Sequence, residues 1–395
     1  MAQGGAEWLR RAPVWKINSG AGASSPLVIG DRVYLIGWAK DRDTLRCLDL
    51  KTGRSHWEHS YPAKKYGRHA VGDQGFFQGT TATPEYDPAS KRLFTLSCDG
   101  QLCAWDLDGK SLWQLNLYDR FGMERRPQIT KRKNTRRDYG YTTSPLAVGD
   151  HIIVEVGDPK SGNLMAFRQS DGKLAWTSEN RDVAGHSGGP NLLIVDGVPC
   201  AVIATSYHLL VTRLDGDRAG ESVAEYPWAT DFSNTISSAA PHQASQSVLI
   251  SSRYNQNAMA RVAISLDNGA TEVWRNRYPS GVCTPVIHKD HIYFANKGLW
   301  CIDFASGKLV WDGGRVSDAG SCLVSGDDRI IVWANAGDLS LADTAVHSPK
   351  KCNILTEKPG LLKDKAWPHL VLANGHLLLK TVNGDVVCFA LSDHG

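Results

Sequence analysis

Six positions carry side chains able to orient or activate a polar ligand: Thr81, Tyr141, Thr142, His186, Ser237 and His369. Hydroxyls and neutral imidazoles donate and accept hydrogen bonds without net charge, which suits a sugar-like or other polar ligand. The same groups can instead cap the starts of strands and line a water-filled space. Glu155 lies inside the apolar run His151-Ile152-Ile153-Val154-Glu155-Val156, where a buried carboxyl must be paired or neutralised. If His186, Tyr141 and Glu155 converged within hydrogen-bond reach, they could run acid–base chemistry on a glycan, as a hydrolase or lyase does. His69, His186, His242 and His369 have no close, regular spacing such as HxxxH, so no metal site is expected from them.

A second group is basic. Arg68 and His69 fall in a Gly- and aromatic-containing stretch, 61–77, and Arg125, Arg126, Arg136 and Arg137 in another, 118–140. Such loops could hold phosphate, a carboxylated sugar or an acidic partner, or simply be solvated, since Asp119, Glu124 and Asp138 dilute the second. The whole chain has 44 basic against 41 acidic residues. That balance, with one local patch and no aromatic interleaving across a larger surface, argues against a nucleic-acid partner. No apolar run is long enough to span a bilayer as a helix. Met1-Ala2-Gln3-Gly4-Gly5 lacks the basic start and apolar middle of a secretory signal. An initiator Met before a small Gly-rich stub is also how a shortened chain looks, so the expectation is a bacterial, periplasmic or otherwise exported monomer with its signal removed, with the cytoplasm as the other location.

The elements that must position these residues repeat. Cys301-Ile302-Asp303-Phe304-Ala305-Ser306-Gly307-Lys308-Leu309-Val310-Trp311 reads as a strand, a small-polar-Gly turn and a strand ending in Trp. Cys47 to Trp57 matches it almost unchanged, Cys103 to Trp113 and Ala166 to Trp176 keep the Gly four residues before the Trp, and Ala263 to Trp274 has one extra residue. Repeats at such spacing mark a closed or stacked repeat fold. Cys47, Cys103, Cys301 and Cys388 share one slot that Ala166 and Ala263 fill elsewhere, which is how a free Cys packs as a small hydrophobe. Nine cysteines, an odd number without a metal-type CxxC pair, argue against a disulfide framework.

Each unit opens at Ser25-Pro26, Thr83-Pro84, Ser144-Pro145, Gly189-Pro190, Ala240-Pro241, Thr284-Pro285, Cys322-Leu323 or Trp367-Pro368. Those separations suit four short strands per unit. The last unit stops after its third strand, and residues 8–17 can supply the fourth and close a ring without a free sheet edge. The expectation is therefore an all-β, eight-bladed propeller of four-stranded antiparallel blades, one domain over 1–395, with the six hydroxyl and imidazole residues at its channel mouth and the 61–77 and 118–140 insertions on that face. Trp15, Trp57, Trp113, Trp176, Trp274 and Trp311 are expected to lie across the turn Gly of the neighbouring blade. The junctions with blades four and seven, whose turns depart from the pattern, should be the least regular.

The recurring Ala/Cys-x-Asp-x-x-Thr/Ser-Gly-Lys-x-x-Trp resembles the tryptophan-docking repeat of the quinoprotein-type, PQQ-like β-propeller superfamily. That group includes quinoprotein alcohol dehydrogenases and the propeller lipoprotein of the outer-membrane β-barrel assembly machinery. The resemblance covers residues 8–395 and implies the propeller fold. It allows two activities: a non-catalytic scaffold that engages a protein or polysaccharide at the channel mouth and basic rim, or a dehydrogenase using PQQ and calcium. The dehydrogenases pack an adjacent-cysteine disulfide on the quinone, and no Cys-Cys pair exists here. Nor do the calcium ligands or catalytic base match any motif, so the scaffold without a cofactor is the favoured expectation.

Overall fold

The computed structural model describes residues 12–63, 79–122, 140–186, 188–230, 235–316, 320–334 and 336–391. They form eight antiparallel sheets of four strands each, an eight-bladed β-propeller. Blades 1 to 8 open with the strands Leu27–Ile29, Glu85–Asp87, Leu146–Val148, Asn191–Val195, Ala240–His242, Val286–His288, Gly320–Val324 and Val371–Ala373. Seven of the eight predicted openings lie at or just before these strands, as expected where Pro has no N–H to give a ladder; the seventh, Cys322-Leu323, lies within its strand.

Blade 8 closes as its sequence predicts. The strand Trp15–Asn18 pairs with Asp385–Ala390, and Trp15 stands opposite Cys388. Val14 N–H donates to Cys388 O at 2.8 Å. The expected closing stretch 8–17 begins outside the described residues, and the observed strand ends at Asn18, one residue beyond it.

The chain divides into two compact units. One takes Met1–Pro62, Gln78–Thr80 and Ser280–Gly395 and contains blades 1, 6, 7 and 8; the other takes Ala63–Phe77 and Thr81–Pro279 and contains blades 2 to 5. In the first unit an apolar cluster joins blades 8 and 1 through Trp15, Val33, Leu35, Leu48, Leu378 and Cys388. In the second, a cluster joins blades 2 and 3 through Phe94, Leu102, Tyr118, Tyr141, Val154 and Phe167. Second and third strands are almost wholly buried while fourth strands are mostly exposed or half-buried, because a middle strand is covered on both faces and an outer one on fewer.

Three details of the repeat differ from expectation. In blade 2 the residue facing Trp113 is Ala104, and Cys103 faces Gln114. The reason is the turn: Asp106 N–H reaches Lys110 O, one residue sooner than Asp49 N–H reaches Arg54 O in blade 1, so the slot moves forward by one. In blade 5 Arg261, rather than Ala263, faces Trp274. The insertions also begin later than read. Tyr61 and Pro62 complete the last strand of blade 1 opposite Asp43 and Arg42, and Leu117–Phe121 form a short helix. Asn116 caps its start by accepting from Asp119 N–H, and Gly122, at φ 61°, ends it. Leu117 and Tyr118 are buried in the core between blades 2 and 3.

Candidate functional site

The openings of the blades hold most of the residues singled out from sequence. In the second unit Thr81, Tyr141, Thr142, His186 and Ser237 precede the first strands of blades 2, 3, 4 and 5. Thr81 is half-buried; Thr142, His186 and Ser237 are buried. Tyr141 is fully buried, its ring edge-on to Tyr118 at 4.9 Å and in the apolar cluster between blades 2 and 3. His369 lies in the first unit at the opening of blade 8. Its ring reaches solvent, yet desolvation by the surrounding protein lowers its pKa. The rim residues Arg68, His69, Arg125, Arg126, Arg136 and Arg137 lie outside the described residues.

A recurrent bond organises these openings. A backbone N–H at one opening donates to a hydroxyl at the opening of a neighbouring blade: Thr83 N–H to Ser144 Oγ at 3.0 Å and His186 N–H to Thr235 Oγ1 at 2.9 Å in the second unit. In the first unit His369 N–H donates to Ser25 Oγ at 2.8 Å and Leu370 N–H to Ser321 Oγ at 3.2 Å. These hydroxyls answer backbone donors that no ladder satisfies and staple first strand to first strand. Ser25, Ser144 and Ser321 therefore have a scaffold role written into their positions.

Glu155 sits under the opening of blade 4. Its Oε1 accepts from Gly185 N–H at 2.9 Å and from Asn163 Nδ2 at 3.4 Å. Next to it, Asp182 Oδ2 accepts from Thr205 Oγ1 at 2.6 Å and pairs with His208 Nδ1 at 2.7 Å. This polar group fixes the loop that carries His186, since both Gly185 and His186 N–H groups are held by it or by Thr235.

Three features escaped the sequence reading. Glu85, on the first strand of blade 2, has its pKa raised to about 7 by burial, which the hydrogen bond from Ala147 N–H at 3.2 Å only partly offsets. Its signal was a charge immediately after Thr83-Pro84. Lys380, wholly buried at the end of the second strand of blade 8, donates to Gly22 O at 2.7 Å, Ser24 O at 2.9 Å and Ser24 Oγ at 3.2 Å. Burial lowers its pKa to about 7. A lysine ending the run His376–Lys380 was the visible clue. The third feature is a close pair of thiols, Cys283 and Cys322, at the openings of blades 6 and 7.

The donor set does not fit the quinone and calcium of the dehydrogenases. All nine cysteines are free thiols and none is adjacent to another. Among the described residues no three His, Cys, Asp or Glu side chains converge as metal ligands do. No chemical step is derived through either group. Among the described residues, also, no helix is long and apolar enough to cross a membrane.

Known proteins place this architecture. BamB from Moraxella catarrhalis aligns over 97% of this chain and 98% of its own at 12% identity, with a TM-score of 0.62. The computationally designed Ika8 protein aligns over 94% and 98% at 10% identity, and the C-terminal WD40 domain of Sif2 over 96% and 98% at 12%, both with TM-scores of 0.62. At such identities the likeness is one of fold. No curated protein sequence matches the chain. The family model described as outer membrane protein assembly factor BamB matches residues 78–313, more than half of the sequence, and this chain belongs to that PQQ-like β-propeller family.

Proposed function

We propose that the protein is a non-catalytic scaffold that binds a protein or polymer partner on the face where the blades open. The observation that carries this reading is the family match over residues 78–313, together with the correspondence of nearly the whole chain to BamB. The stapled openings support it, because hydroxyls tied to backbone N–H groups hold a rigid platform. Rigid platforms carrying variable loops are how repeat folds present binding surfaces.

In this reading Thr81, Tyr141, Thr142, His186 and Ser237 are the binding residues of the second unit and His369 that of the first, and Arg68, His69, Arg125, Arg126, Arg136 and Arg137 supply a basic rim. The partner meets that rim with acidic or hydrogen-bond-accepting groups. Membership of a family described by an outer-membrane assembly factor makes an exported, envelope-associated location the natural setting. The test is affinity capture from a bacterial envelope extract with the wild-type chain and with R125A/R126A/R136A/R137A. A partner retained by the wild type and lost, or released at lower salt, by the variant supports the proposal. Saturable binding of PQQ with calcium and turnover of an alcohol in a dye-linked assay would overturn it.

A further inference from the structure

Two junctions, that of blades 8 and 1 and that of blades 2 and 3, carry the same two fastenings, and the junction of blades 6 and 7 has neither in that form. The outer fastening is the docked Trp. Trp15 lies on Gly53, where an added Cβ would fall 2.7 Å from the ring, and its indole N–H donates to Leu50 O at 2.8 Å. Trp113 repeats this on Gly172, donating to Gln169 O at 2.8 Å. Blade 7 has no Gly in the matching turn, Asp343-Thr344-Ala345-Val346-His347-Ser348. Trp311 Nε1, arriving from blade 6, is buried and has no acceptor among the described residues. The inner fastening is the hydroxyl staple. The residue that stands before Pro26 and Pro145 is Ser25 or Ser144; its counterpart before Leu323 is Cys322. In place of a hydroxyl and an N–H, this junction presents two sulfurs: Cys322 Sγ lies 4.0 Å from Cys283 Sγ.

We infer that Cys283 and Cys322 form a reversible disulfide that serves as the covalent staple of the blade 6–7 junction under oxidising conditions. A disulfide needs the sulfurs at about 2.05 Å. Bond formation brings the two sulfurs together from 4.0 Å, Cys283 in the segment that leads into the first strand of blade 6 and Cys322 on the first strand of blade 7. Cys283 is the nucleophile of the pair: Ala295 N–H donates to its sulfur at 3.5 Å, and the Cys322 sulfur lies 4.0 Å away, a setting that favours its thiolate. Cys322 is the resolving thiol, with its other contact to Tyr293 O at 3.7 Å.

The oxidant that suits so enclosed a pair is a small peroxide. Cys283 is fully buried and Cys322 is 8% exposed, which leaves little room for a bulky disulfide donor. The Cys283 thiolate attacks one peroxide oxygen and breaks the O–O bond; the sulfur becomes a sulfenic acid and hydroxide leaves, to be protonated to water. Cys322 then loses its proton and attacks the Cys283 sulfur, expelling a second water. Two thiols give up two electrons and two protons, and hydrogen peroxide takes them up as two waters. A dithiol reverses the bond by exchange, with its thiolate attacking one of the two sulfurs.

The experiment is peptide mapping of the full chain after hydrogen peroxide or dithiothreitol treatment without reductant in the digest, paired with thermal melting. The expected result is a linked Cys283–Cys322 peptide, about 2 Da lighter than the two reduced peptides together. Its appearance should raise Tm, and dithiothreitol should reverse both changes. C322S, which supplies the hydroxyl that Ser25 and Ser144 give at their openings, should fold, give no linked peptide and show no peroxide-dependent rise in Tm. C98S should behave as the wild type. Folded wild-type protein that keeps both thiols, or that carries sulfinic acid at Cys283 without any linked peptide, would overturn the inference.

Discussion

The junction of blades 8 and 1 and that of blades 6 and 7 belong to the same unit and are built from the same repeat, yet they are fastened by different groups, the second by His288 and Lys289 on Asp328 and by Ala345 N–H on Tyr293 OH at 3.0 Å. At the first, Trp15 docks on Gly53 and donates to Leu50 O, His369 N–H is stapled to Ser25, and Lys380 holds three oxygens of Gly22 and Ser24. Gly384 also approaches Gly20 so closely that a Cβ would lie 2.2 Å from its carbonyl oxygen. At the second, the docking Trp311 has a buried N–H without an acceptor among the described residues, and thiols replace the hydroxyl staple. The difference follows from topology. Each last strand runs on into the next blade, but that of blade 8, Trp15–Asn18, pairs with a strand from the other end of the chain, so ring closure rests on non-covalent contacts there. The second unit repeats the contrast: Trp113 is bonded at the regular junction of blades 2 and 3, while Trp176 Nε1 has no acceptor among the described residues where it meets the irregular turn of blade 4.

The contrast can be broken most severely at its best-fastened point. W15A should cost about 3–5 kcal/mol, read by urea unfolding, because it empties a buried indole site and strips a carbonyl of its donor. W311A should cost about 1 kcal/mol less, since no hydrogen bond is lost with the ring. Equal losses would remove the distinction. G53A comes next, at about 1–3 kcal/mol. Gly53 sits at φ +68° with the Trp15 ring against it, so both backbone strain and a clash arise.

Lys380 sharpens the comparison through pH. Its folded-state pKa, about 7, lies below the ordinary lysine value of 10.5. Between those values the unfolded chain binds more protons, so stability should rise with pH from about 7 to 10.5, by at most about 1.4 kcal/mol per pH unit. The slope should vanish in K380M, and a matching slope in both proteins would refute the assignment. The smallest effects separate the two indoles. W15F should cost about 1 kcal/mol beyond W311F, since both shrink a buried ring but W311F deletes a donor with no acceptor among the described residues.

Much of this architecture is visible along the chain because a propeller blade is a local object. Apolar alternation, a turn Gly and a docking Trp lie within one short segment, and a proline marks most openings, so blade number and closure follow from counting. The departures from the repeat were legible too, as the altered turn Leu214-Asp215-Gly216 of blade 4 and the missing docking Trp of blade 7. The slot beside Trp113 was not, because one residue fewer in the turn moves the facing position from Cys103 to Ala104, and only a register shows that. The site was less legible than the fold. Thr142, His186 and Ser237 were found as types at the right openings. The polar group that holds the His186 loop, joining Glu155, Asn163 and Gly185, draws on residues up to thirty positions apart.

The sequence alone determined an all-β ring of eight blades, its closure by the N-terminal strand and the places where the repeat falters, since each depends on residues close in the chain or on a repeated pattern. Only the tertiary structure decided which neighbours those residues meet: Lys380 on the opening of blade 1, a thiol pair where other junctions keep a hydroxyl, and an indole with or without an acceptor. Those outcomes depend on distances of a few ångströms between segments far apart in sequence, and one-dimensional order carries no record of them.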